Sequence, residues 1–212
     1  MSLWMTNLTQ KIESIASETG IVYRLVSGYY HDIVQKEIAL AGITSSDRIL
    51  FIGGGMCPIS AILLHQSTGA RVTVIDNNIS SIPKARQIVN RLGLDEHIRV
   101  LCREGGSAQL LYSEYSVVHL ALQVFPLEHV FSQVERQIST GTKLLVRRPK
   151  RHLVGLYSQF SDSALTLCEQ IAHKKIYNIG STLLYIKQGN SYEEKITFRG
   201  TIDSPVFGSA AI

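Results

Sequence analysis

Apolar residues recur at helical spacing near the amino end of the chain, as Leu8, Ile12, Ile15 and Ala16, and again as Ile33, Val34, Ile38 and Leu40 beyond Gly28. That spacing predicts a helical segment over residues 6–42. From Arg48 onward the period changes to short β-branched or leucine-rich runs separated by helix-length stretches, the pattern of a parallel sheet with crossover helices. The runs at 48–52, 71–75, 98–101, 116–121 and 143–147 are expected to be five parallel strands, apolar enough for burial on both faces. A helix over about 80–92 should precede the third of them. Further on, a helix at about 161–173 is expected to lead into strands at 175–179 and 182–187, separated by Gly180 and Ser181. The tail from residue 190 is mixed, with Gly200, Pro205 and Gly208 arguing for an irregular end and a strand at 195–198.

With 212 residues, 45% of them hydrophobic, the chain suits one α/β domain plus a short accessory segment. The expected division is a helical segment over 1–45 and a Rossmann-like domain over 46–212. No run of about 18 apolar residues occurs, and no basic stretch leads into an apolar block at the start, so neither a membrane span nor a secretory signal is expected. The chain reads as cytoplasmic. Cys57, Cys102 and Cys168 lack paired spacing and are expected to be reduced and buried. The net charge of +4 tolerates a nucleic-acid partner without demanding one.

The first strand runs into Gly53-Gly54-Gly55-Met56-Cys57-Pro58 and then into a helix-compatible stretch from Ile59 to Gln66. Glycine permits a tight turn and lets a ligand approach the backbone without meeting a Cβ, while free amides at a helix start favour polar or anionic groups. Pro58 fits the first turn of that helix. Asp76 ends the second strand, one strand over at the carboxyl edge, where a carboxylate can accept both hydroxyls of a ribose. A nicotinamide dinucleotide fingerprint would ask for a third glycine, three residues after Gly55, but position 58 is proline. That substitution, with a strand reversal near Gly180, favours S-adenosylmethionine over NAD. A reversed last strand resembles the class I methyltransferase fold. The expected architecture is therefore α/β: a Rossmann-like, mainly parallel seven-stranded sheet with helices on both faces, preceded by a short helical segment. The acidic residue such folds usually place two positions before the first glycine is missing, because Phe51 stands there.

Across about Tyr29 to Tyr157 the motifs are similar to those of the nicotianamine synthases and their bacterial metallophore-forming relatives. The shared features are Phe51-Ile52-Gly53-Gly54-Gly55-Met56-Cys57-Pro58, Val117-Val118-His119-Leu120-Ala121-Leu122, and Leu144-Leu145-Val146-Arg147 followed by Tyr157. Tyr30, two helical turns ahead of Glu37, matches a further element of that family. Its N-terminal region is shorter than that of the plant and archaeal members. The resemblance implies transfer of the 3-amino-3-carboxypropyl arm of S-adenosylmethionine to a small amine or amino-acid-like acceptor. Arg147 and Tyr157, both within the matched motifs, are expected to contact the acceptor.

An amine acceptor must lose a proton, so a base is wanted near the cofactor edge, and Tyr30 and Glu37 are candidates. Each also has a plain structural reading: Tyr30 as packing at a helix start, Glu37 as a solvated helix-face charge. Gly53, Gly54, Gly55, Pro58, Asp76, Asn77 and Ala121 are the expected cofactor contacts. Glu104 after the third strand is expected near the adenine amino group, or else forms an exposed ion pair with Arg103. Gln123 after the fourth strand contacts cofactor or acceptor, or caps its loop. The Asn/Asp-Pro-Pro-aromatic motif of amine-directed methyltransferases is absent from Ala121-Leu122-Gln123-Val124-Phe125-Pro126, which disfavours base methylation by that route. Arg147, Arg148, Lys150, Arg151 and His152 form a dense basic run that could grip acceptor carboxylates, meet RNA phosphates or lie in a solvated loop. No aromatics are interleaved with it, which weakens the RNA reading and favours a small-molecule acceptor. The seven histidines are scattered, so no metal is assigned, and His119 is expected to be a hydrogen-bonded interior side chain. Three readings remain: an aminocarboxypropyl transferase, a methyltransferase acting on a small molecule or RNA, and a non-catalytic cofactor-binding protein.

Overall fold

The computed structural model describes residues 20–108, 110–157, 168–174 and 178–189, excluding the side chains of 20–27 and 154–156. The first element, helix α1, spans Gly20–Ala41 without a break at Gly28, where an added Cβ would meet only open space. The part of the helical expectation before Gly20 lies outside the described residues. Next come β1 (Arg48–Ile52), α2 (Ile59–Thr68), β2 (Arg71–Asp76), α3 (Ile82–Arg91) and β3 (Ile98–Cys102). A 3₁₀ turn at Tyr112–Glu114 leads to β4 (Val117–Leu120), α4 (Leu127–Gln137), β5 (Lys143–Pro149) and a second 3₁₀ turn at Arg151–Leu156. The last elements are β6 (Glu169–Ala172) and β7 (Ile179–Ile186).

These strands form one seven-stranded sheet in the order β3-β2-β1-β4-β5-β7-β6. The five expected parallel strands pair in parallel, and β7 runs antiparallel to both β5 and β6. The central strands are apolar because both of their faces are covered: Ile49, Leu50, Val117, Val118, Leu144 and Leu145 are wholly buried. Side chains alternate across the sheet, so Phe51 and Ile52 point to opposite faces. Phe51 lies on the side of α1. Ile52 lies on the side of α4, where it and Val130 converge on the position a Cβ would take on Gly105. The chain leaves β1 for β2 on one side and returns to β4 on the other. This reversal opens a crevice at the carboxyl ends of β1 and β4, where ligands of open α/β sheets bind.

The carboxyl-terminal expectations need correction. Residues 169–172 are strand β6, not the end of a helix, and the earlier part of that expected helix lies outside the described residues. As an edge strand with mostly exposed side chains, β6 carries no alternating apolar pattern to betray it. Gly180 and Ser181 do not separate two strands but lie inside β7. At Gly180 an added Cβ would sit 3.0 Å from both Lys150 Cα and the Pro149 carbonyl oxygen. Here β5 ends in a register shift between Arg148 and Pro149. A glycine inside a strand thus marks close backbone approach at an irregularity rather than a turn. The strand expected at 195–198 lies outside the described residues.

Candidate active site

The turn after β1 is built from residues that only a glycine backbone accommodates. Gly53 and Gly55 take φ of 87° and 61°, the left-handed region that side chains disfavour. A Cβ on Gly54 would fall 2.2 Å from Val74 Cγ1, so the turn presses directly on β2. The amides of Gly53 and Gly54 both donate to the Ile75 carbonyl, at 2.9 and 3.3 Å. Asp76 holds the turn from the other side: its Oδ2 accepts the Gly55 N–H at 2.7 Å and its Oδ1 accepts the Asn78 N–H at 2.9 Å. Pro58 is buried just ahead of α2, and its carbonyl accepts the Ile62 N–H at 3.0 Å. Across the crevice, Ala121 Cβ stands 3.2 Å from where a Cβ on Gly53 would be, so two minimal residues keep the gap between β1 and β4 open. Asn77, Glu104 and Gln123 stand exposed just past β2, β3 and β4.

This cradle fits S-adenosylmethionine. The bare glycine backbone admits a polar ligand closely, and Asp76, fixed at the edge by two amides, keeps further lone pairs for ribose hydroxyls.

Beside the crevice, under the carboxyl ends of β4 and β5 and the amino end of β7, lies a second feature: a buried ionic cluster. Register places Phe51 opposite His119 and Arg147 opposite Thr182, and alternation puts all four on the α1 face. Glu37 meets them from α1, with no exposed surface. Its Oε1 accepts Arg147 Nε–H at 2.8 Å and the Thr182 hydroxyl at 2.7 Å, and its Oε2 accepts Arg147 Nη2–H at 2.8 Å. This forked, charge-assisted pair is the strong form of the arginine–carboxylate contact. Arg147 Nη1 donates to Ser60 Oγ at 2.9 Å, tying the cluster to the first turn of α2. The guanidinium carbon also lies 5.5 Å from the Tyr30 ring centre and 5.9 Å from that of Phe51, within cation–π reach. His119, wholly buried, stacks on Phe51 at 4.4 Å with planes 13° apart. Its Nε2 lies 3.2 Å from Glu37 Oε2, yet without hydrogen-bond geometry, and neither ring nitrogen has a hydrogen-bond partner among the described residues.

Burial alone would raise the pKa of Glu37. The Arg147 charge and its forked hydrogen bonds outweigh it and hold the carboxyl well below its ordinary range. Burial pushes His119 down despite the neighbouring Glu37 carboxylate, leaving a neutral imidazole. Arg147 moves up: burial opposes its charge, but Glu37 more than compensates. A carboxylate and a guanidinium therefore face each other as a fixed ion pair under the crevice.

Tyr30 and Glu37 lie two turns apart on one face of α1, and Arg147 bridges them. Tyr30 is half-buried and, with Leu122 just past β4, packs on Ile33 and Ile179, which sets it at the carboxyl edge. Glu37 is not a solvated helix-face charge. Arg147 is buried, and its forked face is spent on Glu37, unlike the exposed Arg151 and His152 of the same basic run. Tyr157 is half-buried beyond the second 3₁₀ turn, where burial raises its hydroxyl pKa. His119 is interior as expected but without the expected hydrogen bonds. Sequence reasoning missed Ser60, Thr182 and His173. A signal existed: Glu37 interrupts the apolar stripe of α1, and His119 and Arg147 stand as polar residues in the apolar runs of β4 and β5. Among the described residues no group of three or more His, Cys, Asp or Glu side chains could hold a metal ion, and no helix is long and apolar enough to cross a membrane.

A parallel sheet ordered 3-2-1-4-5-7-6 with an antiparallel seventh strand and a glycine turn after the first defines the class I methyltransferase fold. Solved structures share it. MtNAS, a nicotianamine synthase, in complex with S-adenosylmethionine superposes with a TM-score of 0.72 at 22% identity, over 88% of this chain and 76% of that one. An RNA methyltransferase from Salinibacter ruber bound to S-adenosyl-L-homocysteine gives 0.58 at 17% identity, over 75% of this chain and 92% of that one. In sequence, the chain is 25% identical over 118 residues to an L-histidine 2-aminobutanoyltransferase of Yersinia pestis, covering 56% of this chain and 43% of the relative. It is 26% identical over 136 residues to the protein of that name in Pseudomonas aeruginosa (strain UCBPP-PA14), covering 64% and 51%. The chain thus spans about half the length of the curated relatives it matches. No family model matches it. These likenesses show that the chain has the class I methyltransferase fold, which nicotianamine synthase shares.

Proposed function

We propose that this chain is a cytoplasmic S-adenosylmethionine-dependent transferase that moves the 3-amino-3-carboxypropyl arm to the amine of a small, histidine-like amino acid. The observation that carries the reading is the Glu37–Arg147 ion pair, fully enclosed beside the Gly53–Gly55 turn with Tyr30 two helical turns nearer the crevice. The names of the sequence relatives support the same transfer. S-adenosylmethionine supplies an electrophilic carbon bonded to a sulfonium, whose departure as a neutral thioether drives the reaction. Gly53, Gly54, Gly55, Pro58, Asp76, Asn77, Glu104, Ala121 and Gln123 are the residues we assign to holding it.

The chain's task is then to orient the acceptor and handle its proton. Tyr30, at the carboxyl edge, meets the acceptor amine. Glu37 stays ionised behind it at any working pH and keeps the Arg147 guanidinium under the Tyr30 ring. Tyr30 is the group we assign to bonding the acceptor amine and taking part in its deprotonation, its ring set 5.5 Å from the Arg147 guanidinium carbon. Tyr157 and the exposed end of the basic run are assigned to the acceptor carboxylate. Incubation with S-adenosylmethionine and L-histidine, followed by identification of the nucleoside, tests the reading. Methylthioadenosine is expected; S-adenosylhomocysteine would replace it with methyl transfer, and cofactor binding without turnover would reduce the chain to a binding protein.

A further inference from the structure

The hydrogen bonds around Glu37 continue outward to a residue that the proposed chemistry does not use. Thr182 Oγ1, which bonds Glu37 Oε1, also lies 2.8 Å from His173 Nε2, just past the end of β6. The direction of both bonds follows from counting protons. An ionised carboxylate can only accept, so the single hydroxyl proton of Thr182 goes to Glu37. The Thr182 oxygen is then an acceptor toward His173, and His173 Nε2 must carry a proton. Burial lowers the pKa of His173, so the ring is neutral near pH 7 and Nδ1 holds a lone pair. That nitrogen is enclosed and has no hydrogen-bond partner among the described residues. Around it stand Lys36 and Asp32 of α1 and the neighbouring Lys174, with Lys36 Nζ donating to the Ala172 carbonyl at 3.2 Å and Lys174 Nζ paired to Asp32 at 3.2 Å.

The consequence falls on Glu37. With Arg147 and Thr182 both on Oε1, that oxygen is saturated, while Oε2 takes one hydrogen bond and keeps a lone pair on the side of His119. We propose that His173 is a positioning residue for Glu37: acting through the Thr182 hydroxyl, it fixes the rotation of the carboxylate so that Oε2 alone presents a free lone pair within the cluster. The functional half of this inference rests on the proposed transferase reading; the hydrogen-bond polarity does not.

Two measurements test it on the full chain. Nitrogen NMR of the histidine side chains near pH 7.5 should show His173 neutral with its proton fully on Nε2, and Thr182→Val should weaken that preference toward that of free histidine. A proton on Nδ1 in the unaltered protein overturns the proposal whatever reaction the site performs. In the transfer assay, folded Thr182→Val is expected to lower kcat about tenfold or more with KM within about twofold, the loss of a hydrogen bond to a charged group, and His173→Leu, which loses only the bond to the neutral Thr182 hydroxyl, to lower kcat about threefold or more. Thr182→Ser and His173→Gln, which keep a hydroxyl and a donor in place, should regain most of it. Unchanged kcat in folded Thr182→Val, or no rescue by Thr182→Ser, overturns the positioning role. If the unaltered protein transfers nothing, the transferase reading falls, and the tautomer still decides the polarity.

Discussion

Removing the arginine of the buried pair gives the sharpest test of the cluster. In Arg147→Met a side chain of similar reach replaces the guanidinium, and Glu37 loses both forked hydrogen bonds while remaining fully enclosed. Breaking a buried ion pair from one side costs about 3–5 kcal/mol, because the surviving charge is left uncompensated. A second estimate agrees. Glu37 can escape by taking up a proton, and protonating a carboxyl of ordinary pKa 4.5 at pH 7 costs about 3 kcal/mol. For a domain of this size that corresponds to a Tm lower by roughly 6–20 °C. The pH dependence carries a sign. In the unaltered protein the Glu37 pKa is depressed, so its contribution is present above the ordinary value and lost as pH falls through the lowered one. In Arg147→Met burial raises it instead, so stability is retained below the ordinary value and lost as pH rises through the raised one. The deficit against the unaltered protein, measured by urea denaturation, should therefore be larger at pH 8 than at pH 5. Adding Glu37→Leu should recover about half of it or more, since replacing both charges removes the uncompensated one. A deficit below about 1 kcal/mol, equal at both pH values, would refute the account of Glu37 as an ion held in place by Arg147.

Other expectations follow from the same geometry. Gly54→Ala places a methyl 2.2 Å from Val74 Cγ1 and should destabilise the fold by about 1–3 kcal/mol while weakening S-adenosylmethionine binding in calorimetry; binding as tight as before would show that the turn does not touch the ligand. Asp76→Ala frees the Gly55 and Asn78 amides and removes the ribose acceptor, so the cofactor Kd should rise about tenfold or more, by the loss of hydrogen bonds to a charged group. His119 and His173 both have pKa values lowered by burial, so the unfolded chain binds their protons first. Their contribution is complete above the ordinary value of 6.5 and declines as pH drops through the lowered values, with Glu37 adding to the loss further down. Thermal melts from pH 8 to pH 5 should show a falling Tm, with a shallower slope in His119→Phe, and a flat profile would contradict the buried neutral imidazoles.

Much of the crevice was legible from local pattern alone. Strand and helix periods located β1 to β5, and Gly53–Gly55, Pro58 and Asp76 are positions where backbone geometry or strand ends dictate residue type, so adjacent sequence reveals them. The ionic cluster was not legible, because its members come from α1, α2, β4, β5 and β7 and meet only through strand register and the seating of a helix. Glu37 in an apolar stripe and His119 in an apolar strand look alike whether they are satisfied or bare; the facing Arg147 decides the charge of one, and the orientation of the His119 ring relative to Glu37 leaves the other without a hydrogen bond. The carboxyl-terminal half of the sheet escaped for a related reason. Edge strand β6 needs no alternating apolar face, and Gly180, which reads locally as a turn, is demanded by the backbone of Pro149 and Lys150 pressing against it. Chain-local chemistry determined where a nucleotide-like ligand can lie; only the tertiary packing decided which charges stand beside it, because burial and pairing are properties of neighbours far apart in sequence.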